Sequence, residues 1–438
     1  MNYFISKTLG IEAPNVIFDN KLEEIEYKEQ RYKYYYAKVT YTPDCCVNCG
    51  VLNTNYTIVK NGFKSSRITI PKISEMNAFL ILKKQRFYCK HCCSYFTAQT
   101  NIVDVDCHIS NNSRLTIVDK ATSIRSQKSI AKSCGVSNST VSRIINHTAQ
   151  SIKHMPFGSL PKHILMDEFK SVKQVDSAMS FIFCDATSHK IIDIVRDRKL
   201  YSLKNYFFRF PLKERNKVLT VTIDMYEPYI SLIKEVFPNA QIIIDRFHIV
   251  QALNRALNMS RVSLMNTFRI NNKPLYNKYK RYWKLLLTPF EDLNAISYRK
   301  LKLFKSWQTH KGVVEYLLSF DEKFQYSYGA VNKLRYSLKH NNSIDFMSTL
   351  DEIDANKVCL KLKIVLKTLK KYQSFINNTL IYPNITNGPI EGINNKIKLI
   401  KRISFGYRNY NNLRNRALLT SRLYASTIKK EIKQPTVA

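Results

Sequence analysis

Acidic residues are scarce in this chain of 438 residues: it has 33 aspartates and glutamates against 69 lysines and arginines, a formal charge of +36. A lysine-rich composition bias would explain the many lysines, but not the small number of acids beside them. So large an excess of one charge repels itself unless a polyanion neutralises it, and nucleic acid is the usual polyanion. The charge therefore predicts a protein that binds nucleic acid.

Long apolar runs are absent too. No stretch of about 18 apolar residues occurs, which excludes a transmembrane helix, and the opening MNYFISKTLGIEAPN lacks the apolar segment and the cleavage site of a signal peptide. We therefore expect a cytoplasmic protein with no membrane partner. In that reducing compartment the ten cysteines are expected to bind metal or to stay free, rather than to form disulfides.

Six of the cysteines lie in two short motifs, CCVNCG at 45–50 and FYCKHCCSYF at 87–96. Each contains a C-x-x-C pair, which directs two sulfurs at one ion, and two such pairs suit a closed tetrahedral Zn²⁺. Strand-like sequence between them predicts a zinc ribbon. Buried free thiols or a redox motif are the alternatives, and Cys45, His91 and Cys93 remain possible ligands. The predicted zinc ligands are Cys46, Cys49, Cys89 and Cys92.

The segment SQKSIAKSCGVSNSTVSRIINH, residues 126–147, predicts a helix-turn-helix. The small Ala131 would pack the first helix, Gly135 would make the turn, and Val141 would seat the second helix, with Ser137 or Asn138 as its N-cap. A second helix of this kind can enter a major groove, although an ordinary helical hairpin has a similar pattern. The candidate DNA contacts on its exposed face are Ser139, Thr140, Ser142 and Arg143.

Apolar strand candidates alternate with helical patterns between residues 161 and 245, which predicts a mixed α/β sheet domain. Asp167 comes near the end of one strand candidate and Asp224 ends another. Because an unpaired buried carboxylate is costly, we expect that a metal or hydrogen bonds compensate this pair. Asp185 and Asp245 end strand candidates in a similar way and could instead cap turns or helices. Glu168 is expected on the opposite face of its strand from Asp167.

The stretch NGPIEGINNKIKLIKRISFGYRN, residues 387–409, predicts an amphipathic helix. Four isoleucines share one face and Glu391 lies on the other. With Asp167 and Asp224 it would complete a carboxylate triad suited to Mg²⁺, and a pair of such ions about 3.5–4 Å apart supports phosphodiester chemistry. A solvated charged helix is the alternative. The candidate phosphate contacts that follow are Lys398, Lys401, Arg402 and Arg408.

These features together resemble a DDE transposase of a bacterial insertion-sequence family, the IS-L-three family. The resemblance rests on the cysteine pairs, GVSNSTVSR, MDEF, TIDMYEPY, DRFHIVQALNRALN and the late helix, and it covers nearly the whole chain. It implies a multidomain α/β protein whose ribonuclease-H-like mixed-sheet core is interrupted by an all-helical insertion and preceded by a zinc ribbon and a helix-turn-helix. The implied domains are 1–108 with the ribbon, 109–155 with the helix-turn-helix, 156–246 as the first part of the core, 247–380 as the insertion, and 381–438 as the second part, with the Glu391 helix and a basic C-terminus.

The resemblance also implies a function. The protein would bind the terminal inverted repeats of an insertion sequence and cleave and transfer DNA strands, using two Mg²⁺ ions (or Mn²⁺) at Asp167, Asp224 and Glu391, together with one structural Zn²⁺. Asp245 and His248 would lie near this site, with His248 contacting the transposon end. The implied partner is double-stranded DNA, both as the terminal repeats and as the target. The resemblance also implies a homodimer or a larger synaptic complex, located at the nucleoid in a bacterial cytoplasm. The alternatives are a catalytically inactive DNA-binding regulator, against which the intact carboxylates argue, and a nuclease for structured DNA.

Overall fold

The computed structural model describes residues 2–13, 15–27, 29–153 and 159–422. The chain divides into two compact units. The first comprises Met1–Met155, Val172–Gln174 and Asn395–Ala438, and the second comprises Pro156–Ser171 and Val175–Asn394. The basic C-terminus that the sequence predicts beyond residue 422 lies outside the described residues, as does the predicted boundary at 155.

The first unit begins with a sheet whose described strands follow the order β1-β2-β4-β3, with β5 paired to β4. Strands β2 and β4 run parallel and the other neighbours antiparallel. Alternate residues of β4 are buried, as the two-residue period of a strand requires, with a one-residue shift of the pattern between Leu82 and Gln85. The elements are α1 (Asn2–Leu9), β1 (Val16–Tyr27), β2 (Gln30–Val39), β3 (Ile58–Ile73), β4 (Met76–Cys89) and β5 (Ser94–Thr97).

Short helices follow, as predicted: α2 (Asn111–Thr122), α3 (Gln127–Cys134) and α4 (Asn138–Lys153). The Ser137 hydroxyl accepts the Thr140 amide at 3.2 Å and so caps α4. Ala131 and Val141 are both buried in the core that these helices share. The turn between α3 and α4 therefore joins two helices that pack on each other, the arrangement expected from the sequence.

Gly135 makes that turn with φ of +65° and donates its amide to the Ala131 carbonyl. An added Cβ would lie 2.4 Å from Asn77 Oδ1. We expect Gly135→Ala to lower the free energy of unfolding by about 1–2 kcal/mol from the left-handed backbone alone, and by more once Asn77 has to move. Urea unfolding of the zinc-loaded protein measures it. Gly62→Ala is the matched control, because Gly62 has φ of +66° with open space around its Cβ position; equal losses in the two variants would refute the steric part.

The second unit is built on a mixed sheet whose strands, among residues 159–394, follow the order β10-β9-β6-β7-β8. Strands β6, β7 and β8 are antiparallel neighbours, whereas β9 runs parallel to β6 and β10 runs parallel to β9. This confirms the mixed α/β sheet predicted for the segment. The strands are β6 (His163–Lys170), β7 (Met179–Asp185), β8 (Ile191–Val195), β9 (Thr220–Ile223) and β10 (Gln241–Ile244), with helices α5 (Leu200–Phe207), α6 (Leu212–Arg215) and α7 (Glu227–Val236) between them and a 3-10 turn at Asp176–Ala178.

Most of the following segment is helical, as predicted. Residues 288–309 are the exception: they hold a 3-10 turn (Phe290–Asp292) and an isolated bridge between Arg299 and Gln308. Pro289, which lacks an amide hydrogen, follows the end of the preceding helix. The helices are α8 (Arg246–Asn271), α9 (Lys273–Arg281), α10 (Trp283–Leu287), α11 (His310–Leu318), α12 (Glu322–Lys339), α13 (Ser343–Glu352), α14 (Leu360–Lys371), α15 (Gln373–Ile381) and α16 (Gly388–Ile403).

The last described helix, α17 (Tyr410–Arg422), belongs to the first unit. Leu419 shares the core of α2, α3 and α4. The Asn146 amide hydrogen-bonds to Asn412 at 2.9 Å, and Arg416, fully buried, donates to the backbone carbonyls of Ser123 and Arg125 after the end of α2. None of the described helices has both the length and the apolar character needed to cross a membrane.

Candidate catalytic and metal sites

Four cysteine sulfurs of the first unit converge on one point. Their Sγ atoms all lie within 4.8 Å of one another, with Cys46 to Cys92 at 3.7 Å and Cys49 to Cys89 at 3.8 Å. Zn–S bonds of about 2.3 Å in a tetrahedron place sulfurs about 3.8 Å apart, so this geometry fits zinc. The alternatives Cys45, His91 and Cys93 are not members of the group.

The local structure explains why these sulfurs meet. Cys89 ends β4, and the Gly50 amide donates to the Cys46 carbonyl at 2.9 Å, closing the turn that carries the first pair. The Ser94 hydroxyl lies 2.9 Å from the Cys92 sulfur, and this hydrogen bond lowers the pKa of Cys92 to about 6. Because the thiolate is the zinc ligand, the shift favours the form that binds.

The second unit brings Asp167 and Asp224 together. Asp167 lies on β6, and Asp224 directly follows β9, the parallel neighbour that pairs with the preceding part of β6. Burial, together with the charge of Asp224, raises the pKa of Asp167 to about 6, against the opposing effect of the Glu168 amide that donates to Asp167 Oδ1 at 2.7 Å. The Asp224 carboxylate is therefore close enough to disfavour ionisation of Asp167, a situation that a cation relieves.

Asp245 and His248 lie beside this pair. His248 Nε2 is 2.8 Å from Asp224 Oδ1, and that contact raises the pKa of His248. Asp245 is buried at the start of α8, where it accepts the Asn387 amide at 3.2 Å. Burial raises the pKa of Asp245, and the charges of Asp224 and Glu391 raise it further. Asp245 thus lies within electrostatic reach of both carboxylates.

Glu391 occupies the first turn of α16 and is exposed. Ile390, Ile397 and Ile400 on the opposite face are buried, so the helix presents the two faces that its period predicts. The oxygens of Asp167, Asp224 and Glu391 do not form a compact ligand group: over the described residues, the four cysteines are the one group of three or more potential ligands within 4.8 Å of one another. The structure therefore does not bring all three carboxylates within ligand distance of one another.

Two buried asparagines, which the sequence pattern did not single out, fasten the start of α16 to β6. Asn387 donates from Nδ2 to the Met166 carbonyl at 3.2 Å, and Asn394 donates from Nδ2 to Asp167 Oδ2 at 2.7 Å. Both are only 4% exposed. The sequence did hold a sign of this role. Asn394 lies three residues after Glu391 in the same helix, so the two side chains are neighbours, and it is a polar residue at a buried position.

A cleft of about 430 Å³ opens beside Asp224. Glu168 reaches it, although strand alternation placed that residue on the other face from Asp167, and Arg198 Nη1 pairs with Glu168 Oε2 at 2.5 Å. The wall of the cleft thus contains both carboxylate and cationic side chains. Its lining residues are Glu168, Arg198, Asp224, Met225, Tyr226, Tyr229, His248, Gln251, Ala252 and Arg255.

The candidate DNA contacts on α4 differ in exposure. Ser139 and Arg143 are exposed, whereas Thr140 and Ser142 are half-buried. The Ser137 hydroxyl that caps α4 also lies 2.8 Å from the Ser139 hydroxyl, so part of this polar surface is used in capping.

On and after α16 the basic candidates are accessible to different degrees. Lys398, Arg402 and Arg408 are exposed and Lys401 is half-buried. Lys398 lies on the Glu391 face, where its Nζ donates to Asn395 Oδ1 at 3.4 Å.

Comparison with known proteins identifies the family. The model of the ISL3 DDE transposases, described as "Transposase", matches residues 164–417, and the model of the zinc-finger of transposase IS204/IS1001/IS1096/IS1165 matches residues 42–92. The zinc-finger match and the four-cysteine group together support a structural Zn²⁺.

Two relatives match parts of the chain. The transposase for insertion sequence element IS1001 from Bordetella parapertussis is 25% identical over 255 residues, 58% of this chain and 59% of that protein. An ATP-dependent protease from Lactococcus lactis subsp. lactis is 27% identical over 113 residues, 25% of this chain and 35% of that protein. The chain thus spans less than two thirds of either relative, whereas the ISL3 transposase model matches more than half of the chain. The chain belongs to the ISL3 family of DDE transposases.

Proposed function

We propose that this protein binds the terminal inverted repeats of an insertion sequence, cleaves a DNA strand at each end, and joins the freed 3′ end to target DNA. The observation that carries the proposal is the pair Asp167 and Asp224, brought together at the ends of parallel strands within the segment that matches the transposase family. Strand transfer by this chemistry needs no covalent protein–DNA intermediate.

The topology supports a ribonuclease-H-like core. Asp167 lies on the first strand of the mixed sheet, Asp224 follows the fourth, and Glu391 lies on a late helix, the order that such a core requires. The helices from α8 to α15 separate the fourth strand from that helix. We therefore propose that residues 156–246 and 381–438 form the core and 247–380 a helical insertion, with the zinc ribbon in 1–108 and a helix-turn-helix in 109–155. In this assignment α17 also contributes Leu419 to the buried core of α2, α3 and α4.

The carboxylates Asp167, Asp224 and Glu391 fit Mg²⁺, because they supply hard oxygen donors and because the first two lie close together in a partly buried site. When bound, a pair of Mg²⁺ ions would activate water and stabilise the leaving 3′ oxygen; Mn²⁺ would substitute. The protein's own groups do the rest: Asn394 orients Asp167 and His248 holds Asp224.

Glu391 would be the third carboxylate that holds these ions. Arg198 and Arg255, in the cleft beside Asp224, are suited to strand phosphates. One structural Zn²⁺ binds Cys46, Cys49, Cys89 and Cys92. The DNA contacts that we propose are Ser139, Thr140, Ser142, Arg143, His248, Lys398, Lys401, Arg402 and Arg408, in a complex of at least two protomers that holds two DNA ends.

Removal of the Asn394 amide should weaken catalysis without abolishing it. Asn394→Ala takes one donor from Asp167, and the loss of such a supporting hydrogen bond costs about 10- to 100-fold in activity or metal affinity. We expect a lower cleavage rate, a higher Mg²⁺ requirement and a larger loss still for Asn394→Asp, which adds a negative charge. The matched control is Asn395→Ala, on the exposed side of the same helix; a wild-type Mg²⁺ titration for Asn394→Ala would refute this role.

The test of the proposed function uses purified protein, Mg²⁺ and DNA that carries the inverted repeats flanking the gene. We expect a nick at the repeat end that leaves a 3′-OH, followed by joining of that end to a second DNA. Tight binding without cleavage, even in Mn²⁺, would favour the regulator. Cleavage of structured DNA that lacks the repeats, without joining, would favour a nuclease.

A further inference from the structure

A second cavity, of about 790 Å³, lies within the helical segment of the second unit. We call it the insertion pocket. Its wall includes basic, aromatic and uncharged polar side chains, among them Arg246, Phe290, Lys333, Arg335 and Tyr336. None of these groups has a part in the cleavage chemistry described above. The volume is that of a small-ligand site, for which about 300–1,000 Å³ is usual, and too small for a DNA duplex.

The cations of the insertion pocket exceed its available anions. Arg246 Nε is buried and has no hydrogen-bond partner among the described residues, and Lys333 is exposed and forms no ion pair with any described residue. The wall has four cations and two acids, Glu291 and Asp345. Glu291 is already paired with Lys339 at 2.6 Å, and Asp345 accepts a hydrogen bond from the Asn342 side chain. The pocket therefore offers donors to an anionic ligand, and phosphate is the anion that a DNA strand presents at every nucleotide.

Two aromatic rings in the wall are accessible. Tyr336 is 53% exposed and contacts His340, with ring centroids 4.1 Å apart and the ring planes tilted by 36°. Phe290 is 37% exposed and has the Lys311 ammonium 4.7 Å from its ring centre. Accessible rings beside cations with free donor groups are the combination that binds single-stranded nucleic acid, because bases stack on the rings while phosphates contact the cations. A paired base cannot stack in this way.

Helix α8 connects this pocket to the catalytic cleft. Arg246 and Val250, four residues apart, line the pocket, whereas His248, Gln251 and Arg255 line the cleft beside Asp224. Residues four apart share a helix face, so the two cavities flank the first turns of the same helix. A strand leaving the cleft thus has to pass only those turns to reach the insertion pocket.

We propose that the insertion pocket binds an unpaired nucleotide of the DNA strand that is held for cleavage, with the base against Tyr336 and Phe290 and the phosphate against Arg246 and Lys333. The proposal rests on the proposed function, since it deepens the account of how the cleaved end is held. It assigns the helical segment a direct part in separating the strands near the cut.

Fluorescence anisotropy tests the proposal with labelled DNA in buffer without added Mg²⁺, so that binding is measured in the absence of cleavage. Two DNAs carry the same repeat end, one blunt and one with a single-stranded tail of a few nucleotides. We expect the wild type to bind the tailed end more tightly, and Tyr336→Ala to weaken the tailed complex about 10-fold with little effect on the blunt one. Phe290→Ala should act in the same direction.

The matched control is Tyr298→Ala, which removes an exposed ring of the same segment that does not line the pocket. Free deoxynucleoside monophosphate, added as a competitor, tests whether the pocket binds a nucleotide within a strand or a free nucleotide. We expect it to displace the tailed DNA only weakly. The proposal is overturned if the wild type shows no preference for the tail, if Tyr336→Ala keeps that preference, or if the free nucleotide binds the pocket while the tail does not. Because the readout is binding, failure of cleavage at the repeats would not mimic any of these results.

Discussion

Replacing Asp224 by alanine is expected to stop DNA strand cleavage while leaving repeat binding in place. Asp224 and Asp167 form the carboxylate pair of the second unit, so Asp224→Ala removes one of the two proposed metal-binding aspartates. We expect a loss of about a thousandfold or more in the cleavage rate, which corresponds to roughly 4 kcal/mol of transition-state stabilisation. Single-turnover nicking of end-labelled repeat DNA in Mg²⁺ measures the rate, and a gel-shift titration measures binding.

Asp185→Asn is the matched control for that variant. Asp185 also follows buried residues at the end of a strand, but its carboxylate accepts the Thr187 amide at 2.9 Å and the Ser188 hydroxyl at 2.6 Å, so it caps a turn. It pairs with Ile164, three residues before Asp167 on β6. The control should cleave at close to the wild-type rate. Equal losses in both variants, or undiminished cleavage by Asp224→Ala, would contradict the assignment.

Loss of zinc should unfold the ribbon. Thiolate coordination contributes about 10–16 kcal/mol in small zinc domains, and the sulfurs here include the buried Cys46 and Cys89, whose surroundings are the core of the first sheet. Cys49→Ser is therefore expected to abolish stoichiometric zinc binding, to expose the ribbon to proteolysis and to abolish repeat binding. Metal content by mass spectrometry, limited proteolysis and a gel shift measure the three effects.

Cys93→Ser serves as the control for the zinc prediction. Cys93 is exposed and lies outside the four-sulfur group, although it adjoins a predicted ligand. This variant should keep one zinc per chain and bind DNA as the wild type does. If it loses zinc while Cys49→Ser retains it, the ligand set is wrong. The second unit should keep its fold in both variants, because its sheet and core contain none of these cysteines.

Periodicity in the sequence was enough to predict much of this architecture. The alternation of strands β6 to β10 with helices, the two C-x-x-C pairs and the buried isoleucine face of α16 are all local patterns, and the structure has each of them. Such patterns report which face of an element is buried. They are reliable here because each repeats over several residues.

Contacts between distant residues were not predictable in that way. The Asn394 amide meets Asp167 across 227 residues of sequence, and Asn146 meets Asn412 across 266. Strand alternation placed Glu168 on the opposite face of β6 from Asp167, and it says nothing about contacts with other elements. The ion pair between Glu168 and Arg198 depends on the position of the chain after β8. The insertion pocket likewise arises from helices that meet only in the folded unit. Polar residues that make such contacts leave no repeating pattern in the sequence.

The central claim is that Asp167, Asp224 and Glu391 form one divalent-metal site when DNA is bound. Electron paramagnetic resonance counts bound Mn²⁺ directly, by the loss of the free-ion signal, in a complex of the protein with its repeat end. Two Mn²⁺ ions per active site are expected for the wild type, and at least one fewer for Asp224→Ala and for Glu391→Ala, with Asp185→Asn unchanged. No Mn²⁺ bound by the wild-type complex, or the same count in all four proteins, would contradict the claim.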